Sequence, residues 1–135
     1  MQIDQTLIDA AISLMKHKYP TGQGGAAAMY TKSGKILTSI GIENSPHDAV
    51  NLCYETGCIL EALKLGEEIV ATACASRSDE NSPIVILTPC GICQERLRIW
   101  GGDIVAAVPQ KNDFTKWQSK TLDELEPYYW GSVFK

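Results

Sequence analysis

Five cysteines punctuate this 135-residue chain, and three of them stand where sulfur can do chemistry. Cys90 and Cys93 form a C-x2-C pair within Pro89-Cys90-Gly91-Ile92-Cys93, which follows the apolar run Ile84-Val85-Ile86-Leu87 after Thr88. At the start of a helix, residues three apart share one face, and the positive end of the helix dipole favours thiolate over thiol. Two thiolates are an incomplete zinc site. A third protein ligand is needed, with the fourth position left to water where the site is catalytic. Cys53, in Cys53-Tyr54-Glu55, opens another expected helix and supplies that third ligand. Glu55 lies two residues beyond it, close to the ion but pointing differently. Zinc lowers the pKa of bound water toward 7, and a carboxylate within reach can take that proton and return it. The chemistry these residues allow is metal-assisted hydrolysis, with Glu55 as proton shuttle.

The frame that must position them reads as alternating helices and strands. Asp4 to Lys18 has apolar residues at helical spacing (Leu7, Ile8, Ala11, Ile12, Leu14, Met15), with Asp4 placed as cap. Ala26 to Tyr30 and Lys35 to Ile40 read as strands joined through Gly34. A polar loop over Gly41 to Asn51 leads into a helix from Cys53 to Leu65, closed by Gly66. Glu68 to Ala75 and Pro83 to Leu87 follow as strands. Next come a helix over Cys90 to Trp100, closed by Gly101-Gly102, and a strand over Ile104 to Val108. Thr121 to Pro127 carries a capping box, Thr121 with Glu124. Buried strands alternating with helices imply a mixed sheet covered by helices. The length fits one domain, residues 1–135.

Composition narrows the function class. With 44% apolar and 21% charged residues the chain is ordinary globular protein. A net charge of -4, with no run of basic residues, argues against a nucleic-acid polymer as partner. No apolar stretch reaches membrane-spanning length, and Asp4 and Asp9 sit where a secretory signal would be basic and then apolar, so a cytoplasmic location is expected. An odd cysteine count in that setting points to metal or catalytic use rather than a disulfide framework. Cys58 and Cys74, in apolar surroundings, read as small buried residues. His17 and His47 read as surface or capping residues, although His47 lies in the loop before the zinc helix. Trp100 and Trp117 are assigned to packing, and Tyr128-Tyr129-Trp130 to packing or an interface.

Cys53-Tyr54-Glu55 and Pro89-Cys90-Gly91-Ile92-Cys93, with thirty-four residues between Glu55 and Cys90, match the [H/C]-x-E … P-C-x-x-C signature of zinc deaminases. The chain resembles the cytidine deaminase superfamily, and within it the small cytidine deaminase and blasticidin-S deaminase group. Tyr19-Pro20 followed by Gly25-Ala26-Ala27 is similar to the group's Y-S … G-A-A segment. Ile42-Glu43-Asn44-Ser45 is similar to its V-E-N-A segment, and Leu125-Glu126-Pro127 to its terminal L-L-P. The resemblance implies a three-layer α/β/α fold on a mixed sheet of about five strands, assembled as a homotetramer or homodimer. It implies Zn²⁺ on Cys53, Cys90 and Cys93, and Glu55 delivering a proton to the ring nitrogen and then to the leaving amine. It further implies a small nucleoside-like substrate, of the cytidine, deoxycytidine or blasticidin-S type. Glu43 would contact the ribose, and backbone near Tyr54, Thr88 and Cys90 would hold the amine and ring.

Several family positions are altered here. The aromatic of the Y-S-x-F segment falls on Gly22, and the Asn of the N-x-E ribose contact on Gly41. C-A-E-R becomes Cys53-Tyr54-Glu55-Thr56. Gln94-Glu95 stand where the family has Arg-Gln, with Arg96 nearby as a candidate, beside helix dipoles, to offset the thiolate charge. The metal and proton-transfer parts are kept while nucleoside-reading parts change. Two other readings therefore stand beside the first: a deaminase of a different amino-heterocycle, and a non-catalytic, zinc-stabilised binding protein. A closed cage of Cys53, Cys58, Cys90 and Cys93 would suit the latter. Five residues on a helix turn through about 140°, however, which sets Cys53 and Cys58 facing apart.

Overall fold

Apolar periodicity dictates the first helix, α1 (Gln5–Lys18), which buries Leu7, Ile8, Ala11 and Met15 on one face. Its start is fixed by Asp4, whose Oδ1 accepts the Leu7 backbone N–H at 2.9 Å. The same carboxylate accepts the Tyr30 hydroxyl at 2.9 Å, tying the helix end to the sheet beneath it. The computed structural model describes residues 2–43 and 45–134, so Asn44 of the Ile42–Ser45 segment lies outside them.

Among the described residues, six strands form one mixed sheet: β1 (Gly24–Thr31), β2 (Ile36–Ser39), β3 (Ile69–Arg77), β4 (Val85–Ile86), β5 (Val105–Gln110) and β6 (Asp113–Thr121). The order is β2-β1-β3-β5-β6, with β4 also paired to β3. β1 is buried along its whole length. Its alternate residues serve two cores. Ala27 and Met29 pack with Cys58, Ile59 and Ala62 of α2 (Thr56–Leu65) and with Leu97 of α3 (Gly91–Leu97). Ala28 and Tyr30 pack with Leu7, Ile8 and Ala11 of α1. This period of two produces the expected three layers, helices covering both faces of the sheet. No helix among the described residues is long and apolar enough to cross a membrane.

The arrangement around β3 creates the site. The C-terminal half of β3 pairs antiparallel with β4, Ala75 opposite Ile86 and Ser76 opposite Val85. Its N-terminal half pairs parallel with β5, Ala71 opposite Val105 and Thr72 opposite Ala106. The α3 helix starts where β4 leaves the sheet and lies in the connection between the two partners.

Three sequence expectations are corrected. The helix expected from Cys53 begins only at Thr56, because Leu52 is held extended by a bridge to Ile42 and residues 53–55 form a turn. The strand expected over Pro83 to Leu87 is regular only at Val85–Ile86. The sixth strand, β6, carried no apolar run to announce it. It is an edge strand, mostly exposed, held to β5 by backbone pairing and by Trp117, which packs on the α1-side core. The caps agree with expectation: Gly66 ends α2 at φ 70°, Gly34 turns the first hairpin at φ 93°, and Thr121 with Glu124 forms the capping box of α4 (Leu122–Leu125).

Asp4→Ala removes a helix cap and the acceptor for a buried phenol together. Each loss is worth about 1 kcal/mol, so urea denaturation should show a loss of about 2 kcal/mol, with Asp4→Asn recovering much of it.

Candidate active site

Two backbone segments deliver the sulfurs. After β4, the Leu87 N–H donates to the Cys74 carbonyl at 2.9 Å, the last tie to β3 before the chain turns into α3 with Cys90 as N-cap. Gln94 clamps this turn, its side-chain amide donating to the Pro89 carbonyl at 2.8 Å. The other segment is the turn at 53–55. The Ser39 hydroxyl of β2 donates to the Tyr54 carbonyl at 2.5 Å and accepts the Cys58 N–H at 3.0 Å, fixing the entry to α2. Gly57 has to be small here, since a Cβ would come within 2.6 Å of the Ser39 Cβ.

These segments bring the sulfurs of Cys53, Cys90 and Cys93 within 4.8 Å of one another. The Cys53 and Cys90 sulfurs are 3.2 Å apart, well beyond a disulfide bond, and all five cysteines are free. Thiolates sharing a tetrahedral zinc at about 2.3 Å lie about 3.8 Å apart, so the cluster has the donor type and the span that zinc requires. Cys93 is buried, Cys53 half-buried and Cys90 exposed, which leaves one side of the cluster open. Cys58 is not part of it. That thiol is buried on α2 against Ser39 and the Ala27 carbonyl, and burial pushes it up to about 12. The closed four-cysteine cage is not formed.

Electrostatics agree with a cation here. Burial raises the Cys93 thiol well above its ordinary value, and repulsion from Glu55, Cys90 and Cys53 adds to it. Burial also raises Cys53, with its hydrogen bond to Cys90 contributing. Cys90 is lowered: burial opposes this, but backbone N–H groups of Cys93 and Ile92 and the Cys53 and Cys93 side chains outweigh it. Groups that hinder one another's ionisation in this way are relieved by a divalent ion between them. Glu55 is 4% exposed, at the N-cap of α2. Burial raises its carboxyl above the usual range, against the pull of its own backbone N–H and the Cys93 and Cys74 thiols.

The open side of the cluster faces a cavity of about 400 Å³. Cys53, Cys90 and Glu55 line its reactive end. Leu87, Thr88 and Cys74 line it too, with Ile42, Glu43, Asn51, Leu52 and Tyr54. The residues singled out in the sequence for the metal (Cys53, Cys90, Cys93), for proton transfer (Glu55) and for substrate (Glu43, Tyr54, Thr88) are thus brought together; only Cys93 lies behind the cavity wall. Cys74 is buried as expected, yet it also reaches Glu55. That placement depends on the β3–β4 register and has no local sequence signal.

The protein from Bacillus anthracis whose crystal structure is described as a cytidine deaminase superposes with a TM-score of 0.90 at 37% identity, over 98% of this chain and 93% of that one. The chain belongs to the cytidine deaminase family. Blasticidin-S deaminase of Bacillus cereus is 28% identical over 131 residues, 93% of this chain and 91% of that protein. The cytidine deaminase of Mycobacterium leprae shares the fold at a TM-score of 0.68 and 23% identity, over 93% of this chain and 99% of that one. No protein-family model matches the chain.

Within this family the altered positions have physical reasons. Gly41 cannot carry the family's Asn, because a Cβ there would run into the Leu52 carbonyl, brought close by the Ile42–Leu52 bridge. Gly22 turns an exposed-side loop at φ 80°, its N–H held by Glu80 at 2.6 Å. Tyr54 takes the place of the family's Ala: its ring lies where a side chain at Gly25 would be, and its hydroxyl donates to the Glu43 carboxylate. Arg96 donates to the Thr56 hydroxyl at 3.1 Å, joining α3 to the first residue of α2. His47 is exposed and its N–H bonds Ser45. Tyr129 and Trp130 dock on α3 and the turn that follows it, Tyr129 under the Arg98 guanidinium at 3.9 Å and Trp130 donating to Glu95 at 2.7 Å. Neither lines the cavity.

Purified protein is expected to hold one zinc per chain by atomic absorption. Serine at Cys53, Cys90 or Cys93 should weaken binding by more than the roughly 10- to 100-fold that loss of an outer hydrogen bond costs, and Cys58→Ser should leave the metal content intact. Gly41→Ala should cost about 1–3 kcal/mol in denaturation, the range for forced overpacking.

Proposed function

We propose that this chain is a zinc-dependent hydrolytic deaminase that removes the exocyclic amine of a cytosine-containing nucleoside or nucleoside-like small molecule. The observation that carries the reading is the three-sulfur cluster, open on one side to a cavity, with a buried carboxylate at the same end. In this reading Cys53, Cys90 and Cys93 hold the zinc and Glu55 moves the protons. Bound there, the ion supplies Lewis-acid activation of water.

The protein's own groups do the rest. The Glu55 carboxyl, raised by burial, accepts a proton from water at one oxygen and keeps it long enough to deliver it to the ring nitrogen. With the water oxygen bonded to the amine-bearing ring carbon, Glu55 takes the second proton from that new hydroxyl and delivers it to the exocyclic nitrogen; the C–N bond breaks, ammonia leaves as a neutral molecule and the ring keeps a carbonyl. The Cys74 thiol lies close enough to the Glu55 carboxyl to influence its ionisation. Apolar Leu87, Leu52 and Ile42 limit water around the ring, while Thr88 and the backbone at Tyr54 and Cys90 offer polar groups to the amine and ring edge. The relatives named cytidine and blasticidin-S deaminase support cytosine-type substrates.

The same reading takes residues 1–135 as one catalytic domain, assembled as a homodimer or homotetramer. Exposed Leu60 and Leu63 on α2, with Ile92 on α3 and Ile99 just beyond it, support the assembly. Five free cysteines suit the reducing cytoplasm.

Ammonia release is the direct test, with cytidine, deoxycytidine, cytosine, blasticidin S and other amino-heterocycles offered in turn. At least one compound should be turned over, and Glu55→Gln should lower kcat by about 10²- to 10⁴-fold with zinc retained. Stoichiometric zinc without turnover of any compound would instead make the protein a metal-stabilised binding module.

A further inference from the structure

The Ile42–Leu52 part of the cavity lining is built around one charged side chain. Position 41 cannot contribute, since the Leu52 carbonyl occupies the space a side chain would need. That leaves Glu43, exposed beside the cavity it lines, as the charged acceptor on this part of it. An exposed glutamate on a loop ordinarily samples several rotamers, and fixing it carries an entropic cost. Here its Oε1 accepts the hydroxyl of Tyr54. The Tyr54 ring is itself immobile: it is buried, packed in the core that spans β1 and α2, and seated against Gly25, where even a methyl group would overlap it. A rigid phenol thus grips a flexible carboxylate. The grip uses one oxygen, and an ionised carboxylate keeps further acceptor sites open.

We propose that Tyr54 is a specificity-determining positioning residue: its phenol fixes the Glu43 carboxylate beside the cavity as an acceptor for hydroxyl or ammonium donors on the substituent of the substrate's ring. The inference rests on the deaminase reading above and adds to it the residue that holds Glu43 in place. A preset acceptor binds such donors without first losing rotamer freedom, so its effect falls on binding of the substituent rather than on the chemical step.

Cytidine and dideoxycytidine share a ring and a sugar skeleton and differ in hydroxyl donors, so their comparison isolates this part of the lining. The wild-type holoenzyme should favour cytidine through KM. In Tyr54→Phe that advantage should shrink by roughly tenfold, the scale of a hydrogen bond to a charged group, with kcat for cytidine changing far less than KM. Glu43→Ala should shrink it too, and adding Tyr54→Phe to Glu43→Ala should cause no further loss. Calorimetric binding of both nucleosides to zinc-loaded Glu55→Gln protein, with and without Tyr54→Phe, gives the same comparison free of turnover. Equal treatment of the two nucleosides by the wild type, an unchanged preference in Tyr54→Phe, or additive losses in the double variant would overturn the proposal. So would a large fall in melting temperature in Tyr54→Phe, because the ring is kept against Gly25 and only the hydroxyl is lost. Absence of turnover of every amino-heterocycle overturns the deaminase reading instead, and the calorimetric comparison still decides the role of Tyr54.

Discussion

The site depends on a divided partnership. A strand has one hydrogen-bonding edge on each side, and β3 shares one of its edges between β4 and β5. Because β5 runs parallel to β3, the chain cannot turn straight back beside it. It has to leave the sheet, cross over and return, and α3 is that crossover. Cys90 and Cys93 ride at its beginning, so their position is set by where backbone pairing stops rather than by side-chain packing. Ligand groups gathered at the point where a sheet changes partners gain rigidity from the ladder and space from its interruption.

What gathers there is otherwise unfavourable. Three thiols and a carboxyl lie together, and burial and mutual repulsion work against ionising Cys53, Cys93 and Glu55. A sequence selected only for stability would fill this volume with apolar side chains. The rest of the molecule compensates through continuous cores on both faces of the sheet and through well-made helix ends. Local conflict inside an otherwise consistent fold is the usual mark of a working site.

Much of this was legible in the sequence. The spacing of Leu7, Ile8, Ala11 and Met15 defines a helix face, and Asp4, Gly34, Gly66 and Thr121 mark ends and turns, because these signals act within a few residues. The three sulfurs and Glu55 were legible because ligand spacing along a chain is itself local. What escaped depends on distant pairing. The β6 strand has a polar sequence and owes its conformation to β5. The entry to α2 is delayed to Thr56 because Leu52 is held extended by Ile42, ten residues earlier. Cys74 looked like any small buried residue until its register beside β4 brought it to Glu55. Tyr54 was noted as an odd replacement for alanine, but its reach to Gly25 and Glu43 needed the folded backbone.

The hydroxyl of Ser39 has a wider consequence. It joins β2, at the edge of the sheet, to the turn that carries Cys53, Tyr54 and Glu55. Edge strands open more readily than central ones, and opening frees whatever is fastened to them. Opening of β2 at this edge would therefore release the Ser39 tie that holds the Cys53–Glu55 turn. Amide exchange at Leu37 and Thr38 would thus report on the persistence of the site's geometry from the edge of the sheet.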